Sequence, residues 1–459
     1  MEFADKILSY LERQSEYCEV RFIQSSENYY HYNNGKYTGS GLSEDSGYAV
    51  RVQNGSISMG FFNDDNFDAI RDKLDAVIKK SRLKGKNKID QGGGIRDAWR
   101  ENGKKAVTDF PDSEKIDILK SADALMDNAG ASLRMNALHD RQIKQFYINS
   151  SGTEINSEYS RIYYVYNAGV YDSGSFEETY NEFGYTGGYE NLLELNLEDI
   201  IKNDIKSIQG AIRSHRPEPG KYDVVIGPDI SGIAAHESAG HPMEYDRISG
   251  RESAQAGESF IRPDNYPLKI GSSAVNIIDD PNVAKSFGYY KYDDEGIRAK
   301  KRYLYKNGYT SEFILNRESA GLNNSKSNGG GRSSDWDMEP LARMSTTYLE
   351  PGDYTFDELI EDIRNGIYIK NYTEWNIDDI RFNEKYVGRE AYIIKNGKIM
   401  EQVRRPVIET NTVKFYTSMD AVGNDLKFSA GICGKGDPEQ GVDVWMGGPH
   451  ARLRNMYIK

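Results

Sequence analysis

Residues 222–246 read YDVVIGPDISGIAAHESAGHPMEYD. An apolar run, a Pro-Asp pair and a stretch of small residues with two histidines follow in turn. This is the pattern of a strand delivering the chain into a buried helix, and Asp229 is placed to cap it. His236 and His241 are two of the chain's six histidines, and Glu237 directly follows the first. In the zinc-protease pattern H-E-x-x-H both imidazoles lie one turn apart on one face. Here the spacing is i,i+5, and residues five apart on a regular helix point about 140° apart. One extra residue in a turn, a π-bulge, restores a common face, and such bulges are frequent at functional sites. Gly240 tolerates irregular backbone best, and Ser238 and Ala239 leave room beside it. The stretch therefore predicts a distorted helix.

A catalytic zinc site usually combines three protein ligands with one open position. The residues alone leave the third ligand open among Cys433, His450, Glu244 and other carboxylates. Cys433 lies in SAGICGKGD (429–437), where flanking glycines let the backbone approach another element, and a thiolate is a good zinc ligand. Glu237 matches the general base of H-E-x-x-H enzymes. Without a metal, the histidines form a polar face and the cysteine is a small buried hydrophobe.

Outward from this stretch, Pro217, Pro219 and Gly220 break helix, which places the main boundary at about 216–221. Before it, helices are expected at 3–16, 67–81, 113–129 and 192–213, each with apolar residues at helical spacing. Alternating segments CEVRFIQS, GYAVRVQ and SISMGFF precede a polar loop at 84–94, and longer strands follow in RQIKQFYINSSG and SRIYYVYNAGVY. Asn54-Gly55, Asn307-Gly308 and Asn396-Gly397 are hairpin signals, because both residue types accept positive φ. Beyond 265 the pattern is mostly strands, with one helix at 356–368. The expected class is α+β in two parts: an N-terminal α+β region with antiparallel sheets (1–216, with a subdivision near 84–112) and a mostly antiparallel β domain carrying the metal-binding helix (221–459).

The chain has 459 residues and a formal net charge of −13, with no long basic run. That argues against nucleic acid as a partner, since phosphate binding needs clustered Lys and Arg. No run of 18 apolar residues is present and the first residues do not read as a signal peptide, so no membrane partner is expected. Two cysteines are too few for a disulfide framework and suit a reducing interior. A cytoplasmic protein is expected.

Four motifs then point to a family. H-E-x-x-x-H is followed by Glu244 and Asp246. DDPNVAKSFGYYKYDDEG (279–296) ends in D-D-E-G. NGGGRSSDWDMEPLARMSTTYLEPG (328–352) leads to R-M-x-x-T-Y, and TSMDAVGNDLKFSAGICGKG (417–436) surrounds the cysteine. In this order, from about residue 17 onward, they resemble the TldD/PmbA family of cytoplasmic metallopeptidases, long described as modulators of DNA gyrase. The resemblance falls on its catalytic, TldD-type side. It implies His236, His241 and Cys433 as ligands of one Zn2+, Glu237 as general base, and unstructured peptides as substrate. It also implies a dimer, either a homodimer or a heterodimer with a metal-free TldE/PmbA-like subunit. The alternative is a metal-free or structurally metallated binding subunit of such a complex. Gly330 and Gly331 are expected to line the substrate channel and Arg343 to meet a substrate carboxylate, whereas Asp293, Asp294 and Glu295 read as a solvated turn. Pro242 departs from the family, whose catalytic members usually have glycine there.

Overall fold

The computed structural model describes residues 2–85, 88–172, 174–252 and 257–459. Parts of the expected 84–94 loop and of the stretch after Pro242 lie outside the described residues. The N-terminal part is a seven-stranded sheet. Its path runs Ile57–Phe62, Lys36–Gln53, Tyr17–Asn33, Leu133–Asn149, Glu154–Asp172 and Arg96–Glu101, with Ser175–Thr186 also paired to Glu154–Asp172. Helix Phe67–Ser81 forms as expected, its Asn66 side chain accepting from the Asp68 N–H at 3.0 Å. Helix Asp112–Asn128 agrees to within a residue, and the first helix stops at Glu12. The expected 192–213 helix breaks in two, because Asn196 caps a new start at Leu197.

The Asn307-Gly308 and Asn396-Gly397 turns take positive φ at both residues. Asn54-Gly55 also joins two paired strands, but neither residue does so. Its Asn54 amide is instead spent on Gln14 O (3.3 Å) and Ser81 Oγ (2.8 Å). The expected helix at 356–368 is helical only over Phe356–Ile360; Asn365–Ile369 is a strand, pairing in parallel with Gly220–Ile226.

The C-terminal part holds a six-stranded and a nine-stranded sheet, mostly antiparallel, with a two-stranded ribbon at Gly331–Arg332 and Leu341–Ala342. The α+β class is therefore observed. The 279–296 motif is not a solvated turn: Asp293 and Glu295 are buried. Glu295 pairs with Arg51 of the N-terminal sheet at 2.6 Å and accepts the Arg317 N–H at 2.6 Å. The motif thus fastens the two parts together. Glu295 is thus charge-paired, whereas Asp293 accepts backbone N–H groups from Glu295, Ile297 and Gly331, and burial pushes its carboxyl up to about 8.

The helix after strand Gly220–Ile226 runs through the core of the C-terminal part. Ile230, Ile233, Ala234, Ala235, Ala239 and Met243 are buried among Val224, Leu304, Met344, Val444 and Leu453. A helix apolar on nearly every side belongs inside a domain, and each such isoleucine contributes roughly 1.5–3 kcal/mol by leaving water. The polar residues of HESAGH are therefore carried into a dry interior, where each needs a partner.

Candidate metal centre

Gly227, not Asp229, caps the motif helix; Pro228 occupies the first turn, where its missing N–H costs nothing. The helix is α over Pro228–Ala234 and π over Ala235–Gly240, closed by the His241 N–H donating to His236 O. That i→i−5 bond is the expected extra residue. It brings the two imidazoles to one side, ring centroids 5.0 Å apart. Pro242 is the middle residue of the 3-10 turn His241–Met243 that follows. Having no N–H, it leaves the carbonyl of Ser238 without a helical partner, and the Tyr305 hydroxyl donates to that oxygen at 2.8 Å. Tyr416 does the same for Ala234 O at 3.0 Å. Two tyrosines thus stabilise the irregular turn.

Cys433 arrives from strand Lys427–Lys435. The ligand atoms of His236, His241 and Cys433 all lie within 4.8 Å of one another, and all three residues are buried. Cys433 Sγ is 3.5 Å from His241 Nε2. Zinc–nitrogen and zinc–sulfur bonds of about 2.1 and 2.3 Å at tetrahedral angles separate the two donors by about 3.6 Å, close to the distance observed. Burial holds both imidazoles below their ordinary titration range, hence neutral. Burial pushes the Cys433 thiol up, but His241 and the Arg343 guanidinium outweigh it and bring it to about 7. His236 Nδ1 is buried without a partner among the described residues. Two neutral imidazoles, a soft thiolate and an unpaired ring nitrogen suit a divalent ion such as zinc.

Glu244 lies outside the His236, His241 and Cys433 group. Its carboxylate is 3.0 Å from His241 Nδ1, so it orients the ring and leaves Nε2 toward the cysteine. Burial pushes Glu244 up, yet Lys435, His241 and Arg247 hold it well below the usual carboxylate range. Lys435 in turn donates to Asp246 at 2.8 Å. His450 lies elsewhere, between Asp425 (2.6 Å) and the Tyr368 hydroxyl (2.8 Å).

Glu237 faces the same space: its Oε2 is 4.0 Å from His241 Nε2 and 2.6 Å from Arg381 Nη1. That space is a cavity of about 440 Å³. Its walls include three strands, Ser175–Thr186, Tyr372–Ile377 and Lys427–Lys435. The last two are bonded on only one side among the described residues, while Ser175–Thr186 also bridges Ser286 through Tyr185. Two strands with an unpaired edge therefore border the cavity that holds the histidines.

The three weaker site expectations do not reach this cavity. Arg343 is fully buried, its guanidinium donating to Gln440 O (3.0 Å) and to the carbonyl of Cys433 itself. It fixes the cysteine strand from behind and lies outside the cavity lining. Gly330 packs against Ile314 and Leu315, and Gly331 against Glu295 in the short ribbon. Sequence reasoning missed Arg381, a lone arginine with no motif around it. It also missed Glu384, buried beneath the helix, where it accepts from Ser238 Oγ and from the Tyr386 hydroxyl.

The chain is similar to known proteins along its length. The PmbA/TldA metallopeptidase C-terminal domain matches residues 219–459, the central domain 105–208 and domain 1 residues 18–85. A metalloprotease of Methanothermobacter thermautotrophicus is 30% identical over 100% of this chain and 98% of its own. A zinc metalloprotease TldD homolog of Saccharolobus solfataricus is 28% identical over 57% of each chain. In structure, TldE from Thermococcus kodakarensis superposes with a TM-score of 0.75 over 99% of both chains at 15% identity. A Thermotoga maritima protein described as a candidate DNA gyrase modulator gives 0.79 over 100% and 99% at 18% identity. With its three domains matched in order and a full-length metalloprotease relative, the chain belongs to the PmbA/TldD metallopeptidase family.

Proposed function

We propose that the chain is a zinc-dependent peptidase that hydrolyses unstructured peptides, with one Zn2+ per chain held by His236, His241 and Cys433. The observation that carries this reading is the convergence of three metal-binding side chains within 4.8 Å at the wall of a cavity. A bound zinc supplies Lewis acidity, acidifying water and polarising a peptide carbonyl. Glu237 takes the proton of the attacking water and returns it to the leaving nitrogen as the C–N bond breaks. Glu244 keeps the His241 ring in place. The free edge of Lys427–Lys435 offers backbone groups to an extended chain, and a folded protein does not fit about 440 Å³, which favours unstructured substrates.

The reading includes a dimer, with a second copy or with a metal-free TldE/PmbA-like subunit, on the strength of family membership, and a cytoplasmic location, consistent with two free cysteines. No helix among the described residues is long and apolar enough to cross a membrane. Elemental analysis and peptide digestion test the proposal. We expect about one zinc per wild-type chain, loss of zinc in His241→Ala and Cys433→Ala, and a zinc-loaded but inactive Glu237→Gln. An active Glu237→Gln would remove the base from the scheme. No zinc in the wild type, even after supplying it, would remove the scheme itself.

A further inference from the structure

Arg381 stands in the turn between strands Tyr372–Ile377 and Asn383–Gly388. Its backbone is held in the left-handed region at φ 64°, which L residues with a Cβ rarely adopt. Three contacts impose this. The Arg381 N–H donates to Asp378 O at 2.9 Å, the Asp378 side chain accepts from the Phe382 N–H at 2.7 Å, and the Arg381 carbonyl accepts from Thr412 Oγ1 at 3.2 Å. Disfavoured backbone retained by its surroundings clusters at functional sites. The result aims a mostly buried guanidinium into the cavity that holds His236, Glu237 and His241. Among the described residues, its one hydrogen-bonded acceptor is Glu237 Oε2, the oxygen 4.0 Å from His241 Nε2; its Nε is buried with no partner.

A guanidinium has five N–H donors in a fixed fork, and here one is committed. We propose that Arg381 is the oxyanion-stabilising residue of this site, first holding Glu237 and then donating to the carbonyl oxygen of the scissile peptide bond. This rests on the peptidase reading above. The charge argument is direct. As water attacks, its oxygen bonds to the carbonyl carbon, its proton goes to Glu237, and the C=O π pair moves onto the carbonyl oxygen. One negative charge leaves the carboxylate and one appears on the oxyanion. A single cation within reach of both faces one negative charge throughout, so it favours the transition state without reorganising a second group. When the C–N bond breaks, the pair returns to form C=O, and Glu237 gives its proton to the nitrogen.

The test uses the zinc-loaded full chain, Arg381→Met and Arg381→Lys, a fluorogenic peptide that the wild type cleaves, and a phosphinic analogue of that peptide carrying a tetrahedral anion. For Arg381→Met we expect kcat to fall about 10²–10³-fold, with KM changed less than about threefold. Affinity for the phosphinic analogue should fall by a comparable factor, while zinc content and Tm stay at wild-type values. Arg381→Lys should recover at least about tenfold of the loss, since it keeps the charge but not the fork. The phosphinic analogue separates this role from mere positioning of Glu237, because its binding needs no base. Unchanged phosphinic affinity in Arg381→Met would overturn the proposal, as would a rise in KM at constant kcat, or zinc loss and a lowered Tm in both variants. A wild type that holds no zinc and cleaves nothing is a separate outcome. It ends the peptidase reading, and this proposal with it, before any Arg381 variant is made.

Discussion

Gly240→Ala puts the distorted helix to a quantitative test. A Cβ built at residue 240 lies 1.7 Å from Met344 Sδ and 3.1 Å from its Cγ and Cε. Ordinary contacts between such atoms are about 3.5–4.0 Å, so one side must move by roughly 2 Å. Met344 is fully buried in the C-terminal core, so its thioether has no solvent to retreat into. Alanine gains up to about 1 kcal/mol over glycine in helical backbone. Overpacking a tight core costs about 1–3 kcal/mol, and a 2 Å intrusion belongs at the upper end. The net expectation is a loss of about 2 kcal/mol in the zinc-free protein, read by urea unfolding with tryptophan fluorescence. Met344→Ala alone opens a cavity at a cost of about 2–5 kcal/mol. Combined with Gly240→Ala, the new methyl fills part of that space, so the two changes should couple favourably by at least about 1.5 kcal/mol. Zinc affinity should weaken in Gly240→Ala, because the displaced backbone carries His241, and recover in the double variant. A Gly240→Ala protein as stable as wild type, or strictly additive changes, would refute the packing argument.

Two further outcomes follow from the polar groups around the helix. Burial raises Glu384 to about 7 against an ordinary 4.5, although Ser238 and Tyr386 hydrogen-bond it. The folded state therefore binds this proton more tightly than the unfolded one. The resulting stabilisation is fully present below about pH 4.5 and is lost as pH rises through about 7, up to about 3 kcal/mol in all. Zinc-free Glu384→Gln should differ little from wild type at pH 5 and exceed it at pH 8; equal pH dependence of the two in thermal unfolding would show that Glu384 titrates normally. Glu244→Gln keeps the shape beside His241 but removes the charge that holds its Nδ1 proton, so zinc affinity by chelator competition should fall about 10–100-fold. Unchanged affinity would mean that the 3.0 Å contact does not orient the ligand.

Much of the site was legible because its parts are local or carry distinctive chemistry. The i,i+5 histidines with Gly240 between them demand a π-turn wherever the helix sits, and the π-turn is present. Helix 67–81 was readable from its apolar periodicity, and the structure adds the Asn66 cap that fixes its start. Where local signals were weak, the neighbours decided. The segment after Ile360 reads as helix, yet it becomes a strand because Gly220–Ile226 offers it a partner. D-D-E-G reads as a surface turn until Arg51, more than two hundred residues away in sequence, comes to pair with Glu295.

The sequence by itself thus determined the α+β class, the irregular helix and the two histidines with their glutamate, since backbone geometry and side-chain spacing are properties of a short stretch. It also carried the family through its ordered motifs. Only the tertiary structure decided that Glu244 contacts His241 from outside the His236, His241 and Cys433 group and that Arg343 donates to backbone carbonyls. It alone decided that Arg381 reaches Glu237 and that two strands with an unpaired edge border the site. Apart from the Glu244–His241 contact, those are meetings between residues tens to hundreds of positions apart. Which buried donor finds which acceptor is settled by how the sheets pack, not by any pattern along the chain.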